Sequence, residues 1–242
     1  MTKTTVFNLI ILDESGSMYS SLNSTIAGCN ETIQVAKNLQ KQYEEKQNSF
    51  ISIYSFSSGG SRPSRYLCKN VPVNTQREIT PEDYDPDGCT PMLDAIGSTL
   101  VDLMAVAKTH EDAMGIVTII TDGYENSSTQ YDYEKVRRLI SQARELGWKV
   151  NFIGANIDVD AVSDRLNISS VMAYNSTETG TRDMFKDFKR ALIRENASRI
   201  EQEANMDHNE RLALRKKSQM LRSRNSNRRD NDAANNPDFE NW

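Results

Sequence analysis

The sequence lacks most of the features that mark a common enzyme, a membrane protein or a secreted protein. Only 2 of its 242 residues are histidine, and it contains no G-x-S-x-G, P-loop or G-x-G-x-x-G motif, so none of these motifs indicates a hydrolase or a nucleotide-binding enzyme. The first apolar run, residues 6–12, is far shorter than the roughly 20 residues that span a bilayer. No small-residue cleavage pattern follows it. We therefore predict neither a membrane segment nor a signal peptide.

Cysteine is also scarce, and its number is odd. The three cysteines are Cys29, Cys68 and Cys89, and no two of them form a C-x-x-C pair. An odd number cannot all be paired in disulfides, and disulfides are rare in the cytoplasm, so we predict a cytoplasmic protein. The hydrophobic content of 37% and the mean hydropathy of -0.64 favour one good core together with a solvated segment. The net charge of -5 is too mild to indicate a class of partner.

Short apolar runs rich in β-formers alternate with segments whose apolar residues recur every three or four positions. The runs predict strands at residues 6–12, 50–56, 65–73, 116–121, 148–155 and 170–174. The periodic segments predict helices at about residues 26–43, 91–107, 136–143, 159–166 and 181–196. Such alternation predicts a doubly wound α/β domain with a mainly parallel sheet. Right-handed crossovers then place helices on both faces.

The composition changes after about residue 200, where Asn, Arg and Ser dominate. We predict one domain over residues 1–200 and a polar C-terminal extension over residues 201–242, helical at first and disordered from about residue 225. Residues 211–229 contain eight basic and no acidic side chains, so an alternative function is nucleic-acid binding through this stretch. No aromatic residues interleave with these cations and the following residues are acidic, which favours a solvated helix.

Three polar segments fall where ligands bind in open α/β sheets, at the carboxyl ends of strands near the point where the strand order reverses. Asp13-Glu14-Ser15-Gly16-Ser17 directly follows the first predicted strand, and Asp122 directly follows the strand at residues 116–121. Thr90 precedes the helix that begins near residue 91. We expect Asp13 and Asp122 to lie side by side, with Thr90 close to them.

These side chains offer two carboxylates and three hydroxyls, which are hard oxygen donors. Mg²⁺ takes six such oxygens and gives up its waters reluctantly, so a site with few carboxylates retains waters and an open position. An acidic side chain of a partner could fill that position. Two crowded carboxylates also repel each other without a cation. We predict a metal site of Asp13, Ser15, Ser17, Thr90 and Asp122 that binds Mg²⁺, with Mn²⁺ or Ca²⁺ as alternatives.

The three segments resemble the metal-ion-dependent adhesion site of von Willebrand factor A domains, of the intracellular prokaryotic type. The matching motifs are D-x-S-x-S at residues 13–17, G-x-T-P at residues 88–91 and T-D-G at residues 121–123. The resemblance covers roughly residues 4–196. Three motifs in order, each on the expected element, are more specific than any one of them.

This resemblance implies a six-stranded sheet of order 3-2-1-4-5-6 with one antiparallel edge strand. It also implies direct metal contacts from Ser15, Ser17 and often Thr90, with Asp13 and Asp122 commonly acting through water. Members of the family bind proteins, so the resemblance implies a protein partner that supplies a Glu or Asp to the metal, and no catalysis. We expect the domain to be a monomer on its own and to work within a larger assembly.

We assign four further residues either to the surroundings of the metal or to partner contact: Glu14, Asp94, Gly123 and Glu125. For Asp94, the favoured interpretation is that its negative charge, one turn into the helix, interacts favourably with the helix dipole. Glu125 and its neighbour Asn126 fit solvated loop positions equally well.

The rival interpretation is an enzyme, a metal-dependent phosphatase-like hydrolase of the haloacid dehalogenase type. Those enzymes have D-x-D after a strand, and the second Asp serves as the acid and base. Ser15 occupies that position in this sequence and cannot do so, which favours binding over catalysis.

Overall fold

Six strands form one sheet of order β3-β2-β1-β4-β5-β6 in the computed structural model, which describes residues 3–206, 210 and 220. All neighbouring strands are parallel except β2 and β3, which are antiparallel at one edge. This arrangement confirms the predicted fold class, strand order and antiparallel edge strand. The elements described are β1 (Thr4–Asp13), α1 (Leu22–Gln42), β2 (Gln47–Phe56), β3 (Arg65–Pro72), α2 (Met92–Ala107), β4 (Ala113–Thr121), α3 (Tyr133–Glu145), β5 (Lys149–Ala155), α4 (Val159–Leu166), β6 (Ser170–Tyr174) and α5 (Glu178–Asn205), with short 3-10 helices at Gly16–Ser21 and Val73–Thr75.

Helices cover both faces of the sheet, and β1 at its centre packs against both layers. Alternate side chains of a strand point to opposite faces. Leu9 and Ile11 accordingly belong to the core beneath α2, α3 and α4, whereas Ile10 and Leu12 belong to the core beneath α1 and α5. Because both faces of β1 are buried, its sequence is a continuous apolar run rather than an alternating one.

The last helix is much longer than the sequence predicts. The apolar spacing predicts a helix over residues 181–196, but α5 extends from Glu178 to Asn205 and so passes residue 200. At about 1.5 Å per residue, its length is about 42 Å, and Leu192 packs with Val6 and Ile116 near the amino ends of the central strands. Most of the extension predicted to be helical and then disordered, including the Arg-rich stretch, lies outside the described residues.

Helices α1 and α5 pack closely because α1 has a glycine at the contact. A Cβ atom at Gly28 would lie 2.0 to 2.5 Å from three atoms of the Phe185 ring. Phe185 is 1% exposed, so its ring has little room to move. No helix among the described residues is long and apolar enough to cross a membrane.

Gly28→Ala is expected to destabilise the fold even though alanine is the better helix former. Helix propensity alone would stabilise α1 by roughly 0.5–1 kcal/mol, whereas displacing Phe185 from a packed core should lower the free energy of unfolding by about 1–3 kcal/mol. Urea unfolding followed by circular dichroism measures the difference. Asn38→Ala, at an exposed position of the same helix, is the control and should change stability little. A more stable Gly28→Ala variant would contradict this packing.

Candidate metal centre

The sheet topology brings the predicted ligands to one edge. Asp13 is the last residue of β1, and Asp122 directly follows the adjacent strand β4. Ser17 Oγ donates a hydrogen bond to Asp122 Oδ1, and Ser15 Oγ lies 3.2 Å from Ser17 Oγ. Residues from two different loops therefore meet through their oxygen atoms.

Thr90 reaches the same place from the loop before α2. A Cβ atom at Gly123 would lie 3.2 Å from Thr90 Oγ1 and 3.7 Å from Ser17 Oγ. The two hydroxyls therefore converge beside the backbone of Gly123, where any larger residue would crowd them. No other residue in the described part of the chain forms a hydrogen bond with the Thr90 hydroxyl, so this oxygen is available to a ligand.

Asp13 is the most strongly perturbed acid of the site. Its side chain is fully buried; Oδ1 accepts a hydrogen bond from the Ser15 amide at 2.8 Å and Oδ2 accepts one from Thr121 Oγ1 at 2.6 Å. Burial raises the pKa of Asp13 to about 6; the hydrogen bonds oppose this rise and the charge of Asp122 adds to it. A positive charge nearby would offset both the burial and the repulsion.

Backbone hydrogen bonds join the loops that carry the ligands. Gly16 N donates to Gly88 O at 3.1 Å. Asn126 binds both backbone polar groups of Thr90. Its side-chain Oδ1 accepts a hydrogen bond from Thr90 N at 2.8 Å, and its backbone N–H donates one to Thr90 O at 3.2 Å. Gly88 has a φ of +83°, and a Cβ there would lie 2.4 Å from Ser58 O. The glycine of the G-x-T-P motif is thus a steric requirement.

The Glu14 side chain points away from the predicted ligands and fixes its loop to β2 and β3. Its side chain is 1% exposed and forms a two-pronged ion pair with Arg65, with N–O distances of 2.7 and 3.1 Å. It also accepts hydrogen bonds from Ser55 Oγ and from the Asp85 amide. The carboxylate is therefore enclosed by β2, β3 and the following loop, and it is not exposed to a partner.

Asp94 and Glu125 likewise bind backbone amides. Asp94 accepts hydrogen bonds from the amides of residues 129, 130 and 131 at 2.8 to 2.9 Å. Glu125 accepts from the Leu93 amide in the first turn of α2 at 2.8 Å, and from the amides of Ser127 and Ser128. Both carboxylates hold the loop after β4 against α2, and both accept hydrogen bonds from backbone amides rather than from the five predicted ligands. They position the loop that carries Asp122.

Ser176 is a residue of the site that the sequence analysis missed. It precedes α5, and its Oγ donates to Asp122 Oδ2 at 2.7 Å. Asp122 therefore accepts hydrogen bonds from Ser17 and Ser176 on its two oxygens. The only sequence signal is a serine at the carboxyl end of β6, next to Thr177, which caps α5. A helix start of this kind is too common to identify a ligand-binding residue.

The donor set fits a hard divalent cation. Adjacent oxygens around Mg²⁺ with bonds of roughly 2.0–2.1 Å lie about 3.0 Å apart, close to the 3.2 Å between the Ser15 and Ser17 hydroxyls. In the described ranges, no three His, Cys, Asp or Glu side chains lie close enough together to hold a metal ion by themselves. A site here therefore depends on its hydroxyls, as the sequence predicts, and thiolate or imidazole coordination does not fit it.

Solved structures share this fold at low sequence identity. A von Willebrand factor type A protein from Catenulispora acidiphila is 18% identical, with a TM-score of 0.51, over 78% of this chain and 42% of that chain. The pilus adhesin SpaC from Lactobacillus rhamnosus GG is 12% identical, with a TM-score of 0.54, over 79% of this chain and 31% of that chain. The chain has the von Willebrand factor A fold.

The chain spans less than half the length of each of these proteins, so the likeness concerns the A-type fold alone. No protein-family model and no curated protein matches the sequence. At these identities a shared fold does not transfer a function. The function of this chain therefore depends on the chemistry of its own site.

Glu14→Gln is expected to destabilise the protein strongly, because it leaves the Arg65 guanidinium without its buried counter-charge. Breaking one partner of such a pair should lower the free energy of unfolding by about 2–4 kcal/mol, measured by urea unfolding. Glu134→Gln breaks an exposed pair with Arg138 in α3 and is the matched control, expected to have little effect. Equal effects of the two changes would rule out the anchoring role.

Proposed function

We propose that this chain is a metal-dependent protein-binding module that captures an acidic residue of a partner at the Asp13–Asp122 edge of the sheet. The observation that carries the proposal is the convergence of the Ser15, Ser17 and Thr90 hydroxyls beside Gly123 and Asp122. A purely structural cluster would not need three hydroxyls from two loops next to a buried acid whose pKa is raised to about 6.

Ser15, Ser17 and Thr90 would hold the cation, with Asp13 and Asp122 neutralising it. Mg²⁺ is the cation that best fits these oxygen donors, and Mn²⁺ or Ca²⁺ are alternatives. The bound cation would supply an electron-poor coordination position for a carboxylate. Asp13 orients Ser15 through its amide, and Ser17 and Ser176 orient Asp122. These contacts fix the donors before a ligand arrives, which reduces the entropy lost on binding.

Binding rather than catalysis is favoured by the groups around the site. An acid–base step needs a titratable group that is free to exchange a proton with the reacting atoms. Asp13 and Asp122 would instead neutralise the cation, and Ser15 stands where a haloacid dehalogenase would place its second Asp. His110 packs edge-on against the rings of Phe7 and Phe50, whose centroids are 5.2 and 6.4 Å away. It lies just before β4 begins, and so at the amino ends of the strands, opposite the candidate site. His208 lies outside the described residues.

The acidic protein partner, the cytoplasmic location and the monomeric state stay predictions. The three cysteines are free, in keeping with a reducing compartment. The Arg-rich stretch that would support nucleic-acid binding lies beyond the described part of the chain. Residues 13–22, 85–90 and 122–129 contain no lysine or arginine, which disfavours binding of a nucleic-acid backbone at the site.

Calorimetric titration of the EDTA-stripped protein with Mg²⁺ is expected to give saturable binding at one site. Mg²⁺ at a hundred times its Kd should stabilise the protein by roughly 2.7 kcal/mol, seen as a rise in Tm. Asp13→Asn keeps the size of the side chain but removes its charge, so it should abolish both the heat and the shift. Without metal, this variant should lose little stability, because the buried charge is gone and Thr121 Oγ1 can accept from the new amide while donating to Gly123 O.

Asp160→Asn removes the same charge from an exposed position in the first turn of α4 and is the control. It should bind Mg²⁺ as the wild type does. Two results would contradict the proposal: no binding of Mg²⁺ or Mn²⁺ to the wild type, or equal binding to the Asp13→Asn variant.

A further inference from the structure

Two exposed aromatic side chains stand beside the candidate metal centre. Tyr19 is 70% exposed and Tyr124 is 53% exposed, and they are two of four strongly exposed large hydrophobic residues in the described part of the chain. Each lies two residues after a member of the hydrogen-bonded pair Ser17–Asp122, hence within about 7 Å of it along the chain. Single exposed apolar residues are common, but two at one site point to contact with a ligand.

Tyr124 is held in place despite its exposure. Its hydroxyl accepts a hydrogen bond from the Asp158 amide at 2.7 Å, which ties the ring to the loop that precedes α4. A tyrosine fixed in this way loses little side-chain entropy when a partner packs against its face. Tyrosine is also among the residues that contribute most to protein–protein binding energy.

The loops around the centre carry more acids than bases, and the cation of the loop after β2, Arg62, donates a hydrogen bond to Glu82 O. Residues 13–22, 85–90, 122–129, 156–158 and 175–181 contain no lysine or arginine. Exposed acids there include Asp85, Asp87 and Asp158. The first two belong to the segment whose backbone bonds to Glu14 and Gly16, since Asp87 N donates to Glu14 O at 2.9 Å and Gly16 N donates to Gly88 O at 3.1 Å. A cation balances Asp13 and Asp122 but not these outer carboxylates.

An incoming acidic residue therefore meets repulsion unless the residues beside it are basic. We propose that Tyr19 and Tyr124, with Asp85, Asp87 and Asp158, form a selective rim around the metal centre. The rim favours a partner segment whose acidic residue is flanked by apolar and then by basic side chains. This inference rests on the proposed function, because the central carboxylate must reach the metal. Electrostatic complementarity of this kind chiefly sets specificity.

The test uses fluorescein-labelled peptides and anisotropy with Mg²⁺ or with EDTA. Each peptide has a central glutamate, flanked on both sides by leucine or glycine and then by lysine or serine, giving four combinations. A fifth has glutamine at the centre of the glycine–serine peptide. At low salt, lysine and leucine should each raise the affinity about fivefold. The lysine effect should fade at high salt, where exposed charges are screened within about 3 Å at 1 M.

Variants assign the two effects to the rim. Asp85→Asn, Asp87→Asn and Asp158→Asn together should remove the lysine effect, while asparagine keeps the acceptor with which Asp158 caps α4. Tyr19→Ala and Tyr124→Ala should each reduce the leucine effect. The charge control is Glu44→Gln, Glu45→Gln and Glu111→Gln, exposed acids at the amino ends of β2 and β4. The apolar control is Ile193→Ala on α5, which is 47% exposed. Both controls should retain the wild-type preferences.

The outcomes separate this inference from the function on which it rests. Equal Mg²⁺-dependent affinity for all four glutamate peptides, with none for the glutamine peptide, would overturn the rim and leave the proposed function standing. The rim would also be overturned, and the proposed function left standing, if the control variants lost the lysine and leucine effects as fully as the rim variants do. Binding that ignores EDTA, or that treats glutamine and glutamate alike, would overturn the proposed function together with the rim.

Discussion

The parallel pairing of β1 with β4 is the constraint on which the rest of the site depends. These strands lie at the centre of the sheet, where the strand order reverses, and both end at the same edge. Asp13 and Asp122 are consequently neighbours at that edge. Two carboxylates cannot be placed together without either a proton or a cation, and the burial of Asp13 raises its pKa to about 6. The topology thus places two acids close together, and a bound metal ion would offset their repulsion.

The surrounding acids divide into two groups with different tasks. Asp122 accepts from the Ser17 hydroxyl, and Asp13 accepts from the Ser15 amide within the same segment. Glu14, Asp94 and Glu125 instead bind Arg65 or the backbone amides of other loops and of α2. The second group holds three loops in register, so that donors from distant parts of the chain meet at one point. Some of these acids therefore hold the loops in place and others form the site. The direction in which each side chain points determines its role.

The sequence predicts the fold, and which polar segments meet at the carboxyl ends of β1 and β4, because both are encoded locally. The apolar run of β1 and the polar segment after it are contiguous, and each motif adjoins the end of an element. The bonds from Ser176 to Asp122 and from Asn126 to Thr90 join residues 54 and 36 positions apart. Such pairs have no periodicity that a single sequence reveals.

The orientation of Glu14 could have been inferred from the alternation of side chains along an extended chain. Asp13 faces the site, so its neighbour should face the other way, toward β2 and β3. The extent of α5 is a different case. Beyond residue 196 its sequence is largely polar, and the hydrophobic pattern that predicts helices fades before the helix ends.

We propose that the three loops form one cation site. The most direct test is a crystal structure of the Mn²⁺-soaked protein with anomalous data collected at the manganese absorption edge. We expect one dominant anomalous peak in contact with the Ser15, Ser17 and Thr90 hydroxyls, and near both Asp13 and Asp122. A dominant peak elsewhere on the protein, or no peak at saturating Mn²⁺, would contradict it.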